Sequence, residues 1–521
     1  MYEIVEHGYR VSLDREPQRL RLDVEAPDFP FLQESLPLSE THVCAGELMY
    51  RAKQIDDGLV AALELAAQRG LGKLQAKSKL LLELAKRSAD PLLHAACILG
   101  GLKKAGGFFS RKGPGQDEAK ALLADQGKTK PLGFYTWSKE LQQLFRQDRA
   151  LQEELDAPAV LQVLRAAPEL MRAYQAQLRF AARIANPPAE PDLFAGGRFL
   201  PTARAPERTL GLALYGNAPI PEGFELMREL VARVRGGKID LTPGATSGFY
   251  DHQLAPLAAL LAPERNERLE SGAGWEKRLE DLARAAWALA RETQIKQLDA
   301  MMMGSRAPRV PPRRVHLRPA LRVEPLPAYY ALRATSYRFL REQMAELIGE
   351  AALDGIPRLT PDGPGDHSVL QTLRDAEALF RGAHAAALED LGLPAPPGAS
   401  AFSEWMRNRD RSNDDDQIRD GRMMVPVFFD VQRRKYKVWA MLGWVVAGAS
   451  VEFTARPRVV SVDRLEGQPD EPELVWTGDN CAYWQPVMVE TYVSELLDRD
   501  EFRALCDTHR SQAEILRALQ S

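Results

Sequence analysis

The stretch ELMYRAKQIDDGLVAALELAAQ, residues 47–68, decides the fold class of this chain of 521 residues. Its apolar residues recur at steps that place them on one face of an α-helix. They are Leu48, Met49, Ile55, Leu59, Val60, Leu63 and Leu65. Gly70 and Gly72 follow and end the pattern. The stretch therefore predicts a long helix, and the same period recurs over most of the chain.

Other helices carry recognisable start signals. Asp90 before Pro91 is typical of a helix start, because aspartate caps the first turn and proline fits its first position. A long helical pattern covers 275–303. The run RTLGLALYGN, 208–217, is apolar and short, and it predicts a buried strand.

Beyond residue 400 the pattern changes to β-structure. The runs MMVPVFFDV, KYKVWAMLGWVVAGASVEFTA and PRVVSVDRL are rich in β-branched and aromatic residues and are bounded by turn residues. Such runs predict a meander of antiparallel strands. Strand-like pieces in the first 40 residues either join this sheet or form a small one of their own. The sequence therefore predicts a predominantly α-helical α+β fold.

The predicted domain organisation has four parts. They are N-terminal strands at 1–40, a helical region at 41–190, a second helical region at 206–392 that contains a basic, proline-rich connector at 306–322, and a β meander closed by a C-terminal helix at 401–521. Residues 186–206 are predicted to be a linker or a surface crossing. The segment 110–133 is predicted to be a mobile loop with one short helix, and whether it is a functional lid stays open.

Composition limits the classes of partner. The chain has 68 Lys and Arg, 72 Asp and Glu and a net charge of −4, so it has no overall attraction for nucleic acid or anionic lipid. The first residues lack the apolar core of a signal peptide, and the longest charge-free apolar run, 438–451, is too short for a membrane span. Four scattered cysteines predict buried reduced thiols. We expect a cytoplasmic protein without a membrane partner.

Common cofactor and metal motifs are missing from the sequence. No GxGxxG, GxxxxGK[ST] or GxSxG motif occurs, so we predict no nucleotide cofactor. One acidic, histidine-containing segment is disfavoured as a metal site, because its candidate ligands lack helical i,i+4 spacing. Its residues are Asp366, His367, Asp375, Glu377 and His384. The acidic loop 410–421 departs from a calcium loop at its glycine and glutamate positions.

The stretch LTPGATSGFYDHQL, 241–254, holds Ser247, Asp251 and His252 within six residues. It lacks the strand–elbow–helix context of a serine nucleophile. It resembles GFYTW at 133–137, and both are predicted to start helices, with Asp251 and Thr136 as caps. His252 and Gln253 are then predicted to face a cleft.

Two further groups are candidates for a site. Glu292 and Lys296 stand four residues apart in ALARETQIKQL, which favours a solvated ion pair but also permits a proton-transfer group in a cleft. A Tyr/Arg stripe follows at helical steps, either to bind an anion or to pack and pair within the protein. It consists of Tyr330, Arg333, Tyr337 and Arg341.

The basic connector adds Arg313 and Arg314 as possible anion-binding residues. Aromatic residues for base stacking are missing there, which disfavours nucleic acid. We expect a binding or scaffold protein that holds a partner protein, a peptide or a small anionic ligand in a cleft between regions. The alternative is a hydrolase-like acid/base enzyme with a site assembled from distant segments. That site would combine Asp251, His252, Glu292, Lys296, Tyr330 and Arg333.

Overall fold

A computed structural model of the chain describes residues 2–6, 9–13, 19–25, 42–43, 45–102, 114–189, 193–194, 197–216, 221, 224–262, 270–271, 273–298, 322–323, 326–409, 422–430, 433–453, 459–464 and 480–520. The fold is predominantly helical with smaller, mainly antiparallel sheets, which confirms the predicted α+β class.

The helices in these residues are numbered along the chain. They are α1 (Ala45–Arg69), α2 (Lys77–Arg87), α3 (Pro91–Leu99), α4 (Pro114–Ala124), α5 (Gln126–Thr129), α6 (Lys139–Ala150), α7 (Ala157–Ala166), α8 (Pro168–Ile184), α9 (Pro206–Tyr215), α10 (Leu226–Arg235), α11 (Phe249–Leu261), α12 (Ala273–Thr293), α13 (Ile295–Leu298), α14 (Pro327–Leu347), α15 (Glu350–Asp354), α16 (Val369–Asp390), α17 (Ala399–Arg409), α18 (Arg499–Thr508) and α19 (Gln512–Gln520). A 3-10 helix spans Gly133–Thr136.

The strands are numbered in the same way. They are β1 (Tyr2–Glu6), β2 (Tyr9–Leu13), β3 (Arg19–Glu25), β4 (His42–Val43), β5 (Glu270–Ser271), β6 (Arg322–Val323), β7 (Pro357–Thr360), β8 (Gly363–Ser368), β9 (Arg422–Asp430), β10 (Lys435–Phe453), β11 (Val459–Arg464) and β12 (Asn480–Val493).

The largest sheet is organised around β10, which is 19 residues long. β12 pairs antiparallel with β10 from Tyr436 to Ser450, while β9 and β3 pair with successive parts of the same strand. β11 leaves this sheet and pairs with β2, so the predicted simple meander is wrong. N-terminal strands therefore belong to both C-terminal sheets, a long-range pairing that local sequence patterns do not encode.

Five helices pack against one another in the main core. α12 packs against α1 and α11, α14 packs against α11 and α16, and α16 also packs against α1. Trp287, Tyr250 and Tyr330 are fully buried there. A second apolar cluster fills the space between α2, α3, α7 and α8. The cap predicted at Asp90 is confirmed, because its side chain accepts a hydrogen bond from the Leu93 amide at 2.9 Å.

The strand predicted at 208–217 is wrong, because this segment forms α9. Pro206 supplies a φ that suits a first helical turn, and Gly216 ends the helix with φ 56°. Leu210 is buried, whereas Leu212 and Leu214 are 51% and 38% exposed. The period of a short apolar run does not distinguish a strand from a helix. In this segment the proline at the first turn favours the helix.

Two connecting segments are more ordered than predicted. The described part of 110–133 contains α4 and α5, and Leu122 is buried against α3. In the described part of 186–206, which is predicted to be a linker or a surface crossing, Phe199 is buried against the ring of Tyr174, at a centroid distance of 4.6 Å. The Tyr174 hydroxyl donates to the Phe199 carbonyl at 2.9 Å, which fixes the crossing to α8.

Candidate functional site

A row of polar residues lies on α1, in the middle of the apolar core. Lys53, Asp56, Asp57, Glu64 and Gln68 are all buried. They recur at steps of three, four and seven residues and so share one face of the helix. Buried charges of this number require partners, because an unpaired charge in a protein interior is strongly unfavourable. Their partners come from helices far along the chain.

The end of α12 and the whole of α13 carry most of these partners. Arg291, Glu292, Thr293, Lys296 and Gln297 are buried, so the predicted solvated Glu292–Lys296 face is wrong. The helix is interrupted between α12 and α13, and the two side chains contact different groups on α1. We call the polar face of α1 with Asp148, Arg291–Gln297 and Arg333 the buried charge network.

One part of the network joins Lys53, Asp57 and Glu292. The Lys53 ammonium lies against the Asp57 carboxylate and 3.4 Å from Glu292 Oε2, and Thr293 donates to Asp57 Oδ1 at 2.7 Å. Burial raises the pKa of both carboxyls, and the Lys53 charge opposes this only in part. Burial lowers the pKa of Lys53, but the two carboxylates outweigh burial and raise it overall.

A second part is centred on Asp148, a residue of α6. Lys77 Nζ donates to both Asp148 oxygens, at 2.7 and 2.6 Å, and Lys296 Nζ donates to Oδ2 at 2.8 Å. Lys296 also donates to Glu64, which accepts a 2.6 Å bond from the Tyr135 hydroxyl. Burial favours a protonated Asp148, yet the two lysines lower its pKa overall. Burial lowers the pKa of Lys77. Burial also acts to lower the pKa of Lys296, but Asp148 and Glu64 outweigh it and raise that pKa overall.

A cavity of about 60 Å³ adjoins this second part. Its polar wall includes Glu64, Lys77, Asp148, Lys296 and Gln297, and its apolar wall comes from α8 and the crossing segment at 200–203. Gln297 donates through Nε2 to Glu64, while its buried Oε1 has no partner among the described residues. The cavity therefore offers one free acceptor beside two ammonium groups.

The predicted Tyr/Arg stripe is incorporated into the core. Arg333 Nη2 pairs with Asp56 Oδ2 at 3.0 Å and donates to the Tyr337 hydroxyl at 2.7 Å. Tyr330 is fully buried, and Arg341 pairs with Glu377 at 3.0 Å. These contacts match the structural interpretation, in which tyrosines pack and arginines pair with acids.

Asp251 is not the cap of α11. Gly248 occupies that position, and the first amides of α11 donate to Asn186 Oδ1 and the Ala185 carbonyl. Asp251 instead accepts from Ser247 Oγ at 2.6 Å, from Asn186 Nδ2 at 2.7 Å and from Arg204. The cap expected at Thr136 is also wrong. Thr136 ends the 3-10 helix, and Ser138 caps α6.

His252 stacks on Phe339, with ring centroids 3.8 Å apart. Burial lowers the pKa of His252 to about 4, and the nearby Asp251 charge offsets only part of this effect. The ring is therefore neutral at neutral pH. Among the described residues no hydrogen bond joins His252 to Asp251.

In the predicted acid/base site, the ion pairs of Asp251, Glu292, Lys296 and Arg333 are made with residues outside the six. Asp251 contacts Arg204, Glu292 contacts Lys53, and Arg333 contacts Asp56. The connector residues Arg313 and Arg314 and the acidic loop 410–421 lie outside the described residues. The partners of Glu292, Lys296 and Arg333 were not found from sequence, because no local pattern links residues more than 140 positions apart.

An open groove of about 470 Å³ lies on the surface between α9, α10, α11 and the segment 238–247. Its lining includes Arg204, Arg233 and Lys238. Hydroxyls from Thr209, Thr242, Thr246 and Ser247 also line it. Asn186 separates the groove from the cavity, because it lines the cavity and holds Asp251 on the groove side. We call this surface the α9–α11 groove.

Metal sites, cysteines and membrane-spanning helices are the other features that bear on function. In the part of the chain that the structure describes, no group of three or more His, Cys, Asp or Glu is arranged to hold a metal ion. Cys97 and Cys506 are buried and are not joined in a disulfide, as predicted for them, and burial raises the pKa of Cys97 to about 12. Within the described residues no helix is both long and apolar enough to cross a membrane. Comparison with known protein families, curated proteins and solved structures gives no match.

Proposed function

We propose that this chain is a binding protein for a small ligand with carboxylate or phosphate groups, held in the α9–α11 groove. The observation that carries the proposal is the surplus of open hydrogen-bond donors there. Volumes of about 300–1,000 Å³ are usual for small-molecule sites, and the groove has about 470 Å³. The groove lies within 204–254, so its position differs from the cleft between regions that the sequence suggested.

The two arginines of the groove keep donors available. Arg233 donates to Glu229 through Nε at 2.7 Å, which leaves its two terminal amino groups without a partner in the described contacts. Arg204 donates to Asp251 through Nη2 alone. Guanidinium groups bind carboxylate and phosphate through pairs of parallel N–H bonds. Both side chains can therefore contact an anion without losing their present partners.

Two further features add positive potential. The Lys238 side chain is exposed and has no ion-pair partner among the described residues. Ala205 leaves the start of α9 without a side-chain cap, and both Ala205 and Pro206 line the groove. Unsatisfied amides at a helix start favour anions. The acids of the groove are Asp240 and Asp251, and Asp251 is already neutralised by Arg204.

The test is isothermal titration of the full chain with citrate and, separately, inorganic phosphate, at constant ionic strength. We expect binding in the micromolar to millimolar range with at least one probe, weakening as salt rises. Arg233→Ala is expected to weaken it by about tenfold or more.

Arg228→Ala is the matched control. Arg228 lies on the same helix and pairs with Glu225 at 3.2 Å, but it does not line the groove. Its replacement should leave affinity unchanged. Equal affinity in both variants, or no binding of either probe to the unmodified chain, would overturn the proposal.

A further inference from the structure

The cavity beside Asp148 has the composition of a reactive site, independently of the groove. We propose that Lys77 is an amine nucleophile that forms an imine with a small, uncharged carbonyl compound bound in this cavity. The compound carries a hydroxyl or amino donor that binds Gln297 Oε1. The geometry of the charges, the free acceptor and the size of the cavity each restrict the ligand.

Charge balance excludes a charged ligand. Lys77 and Lys296 carry two positive charges, and Glu64 and Asp148 carry two negative charges, all on buried side chains. An additional charge would have no partner in this interior and would be strongly disfavoured. A neutral molecule that offers both an acceptor and a donor is compatible with these groups.

The free acceptor sets the hydrogen-bonding pattern. Gln297 is 9% exposed, and its amide orientation is fixed by the bond from Nε2 to Glu64. Oε1 then lacks a donor among the described residues, and an unsatisfied acceptor in a protein interior is unfavourable. A hydroxyl or N–H group of a ligand would satisfy it.

The size of the cavity limits the ligand to a few atoms. Each water-sized group requires about 10–15 Å³ of such space. The 60 Å³ present therefore suits roughly four to six non-hydrogen atoms. Two- and three-carbon hydroxyaldehydes and hydroxyketones fall in this range.

The nucleophile is Lys77 rather than Lys296, because fewer carboxylates contact the Lys77 ammonium group. Lys296 contacts both Glu64 and Asp148, whereas Lys77 contacts Asp148 alone and shares that carboxylate with Lys296. A lysine that is desolvated beside another cation loses its proton more readily. The lowered pKa of Lys77 and the raised pKa of Lys296 agree with this assignment.

The reaction conserves atoms and charge. The Lys77 ammonium passes one proton to Asp148, and its nitrogen attacks the carbonyl carbon. The carbonyl oxygen takes a proton from that nitrogen and becomes the hydroxyl of a carbinolamine. Asp148 then returns its proton to this hydroxyl, which leaves as water while the C=N bond forms. The product is a protonated imine, so the positive charge beside Asp148 is retained.

The test is reductive trapping in the native full chain. Glycolaldehyde is added with sodium cyanoborohydride at neutral pH, and the modified lysines are located by peptide mass mapping. Exposed Lys79, on the same helix, is the internal reference. We expect Lys77 to be labelled at least about tenfold faster than Lys79, with a rate that saturates in glycolaldehyde.

Two variants separate chemistry from structure. Lys77→Met should abolish the saturable adduct, and Asp148 keeps Lys296 as its partner in that variant. Gln297→Leu retains the amine and should slow saturable labelling by about fivefold or more, without changing labelling of Lys79. If Lys77 reacts no faster than Lys79, or if its labelling rises linearly with glycolaldehyde, the proposal is wrong.

Discussion

The buried charge network and the α9–α11 groove contain the same residue types in opposite situations. In the network, each of Lys53, Arg333 and Lys296 lies within ion-pair distance of a carboxylate and is nearly inaccessible to water. In the groove, Arg204 is about half exposed and Arg233 retains unpaired donors. The difference shows that a charged residue indicates a ligand site only when its donors outnumber its internal acceptors.

This difference has an energetic consequence. Removing one member of a buried ion pair leaves a desolvated charge without compensation, whereas removing an exposed member leaves a hydrated one. The ion pairs of the network should therefore govern stability, and the groove should govern binding of the anionic ligand. Variants of Asp56 and Lys238 test this division directly.

The largest expected effect comes from the Asp56–Arg333 pair. Asp56→Ala leaves the Arg333 guanidinium without its carboxylate at a side chain that is 5% exposed. We expect a loss of about 3–5 kcal/mol in the free energy of unfolding, measured by urea denaturation. The double variant Asp56→Leu/Arg333→Met should recover most of the loss, because no isolated charge remains.

The exposed Arg69–Glu140 pair is the control for that experiment. Its side chains are 62% and 45% exposed, so Glu140→Gln should cost less than about 1 kcal/mol. Similar losses for Asp56→Ala and Glu140→Gln would show that burial does not distinguish the two kinds of pair.

The next largest effect is expected at Gly248, whose amide donates to Asn186, the residue that also donates to Asp251. A Cβ at Gly248 would lie 2.1 Å from the Ala185 carbonyl oxygen and 2.4 Å from that of Ala182. Gly248→Ala should therefore destabilise the protein by about 1–3 kcal/mol, because backbone of α8 would have to move. Thermal unfolding measures this change. Gly244→Ala, in the same segment with no atom within 4 Å, should have a much smaller effect.

A smaller effect is expected from His252 and depends on pH. Its pKa is lowered to about 4 in the folded protein, so the unfolded chain binds more protons between about pH 4 and 6.5. Stability contributed by the neutral ring is present above pH 6.5 and is lost as pH falls towards 4. Because the ring is partly exposed, we expect only about 1 kcal/mol.

Comparison with His252→Phe tests the assignment, since phenylalanine preserves stacking on Phe339. Urea denaturation at pH 7 and pH 4.5 should show a smaller loss in this variant than in the unmodified chain. An unchanged loss would assign the pH dependence to other groups.

The smallest effect is expected in the groove. Lys238→Ala should alter the free energy of unfolding by no more than about 0.5 kcal/mol, because the side chain has no described partner. The same variant should weaken citrate or phosphate binding. A large loss of stability with unchanged affinity would reverse the roles assigned to the two regions.

Local signals predicted the helices well and their contacts poorly. The cap at Asp90 and the strands β9–β11 follow from nearby residues. The strand predicted at 208–217 was wrong because a short apolar run is compatible with both a strand and a helix. The cap predicted at Asp251 was wrong because Gly248 occupies the cap position of α11. The Gly248 amide donates to Asn186, which lies 62 residues earlier in the chain.

The candidate site was less accessible to sequence reasoning. The i,i+4 spacing of Glu292 and Lys296 indicates an exposed pair in an isolated helix, but tertiary contacts with Lys53 and Glu64 replace it. The groove combines residues from three helices and a loop, and its donors become apparent only when their internal partners are known. Because such a site contains no short sequence motif, the function could not be inferred from the sequence.

The most direct test of the central claim is hydrogen–deuterium exchange of the full chain with and without saturating citrate. We expect slower exchange in the groove segments 204–215 and 233–251, with α1 and α12 unchanged. Protection confined to α1 and α12, without change in the groove segments, would contradict the assignment of ligand binding to the groove and of the charge network to stability.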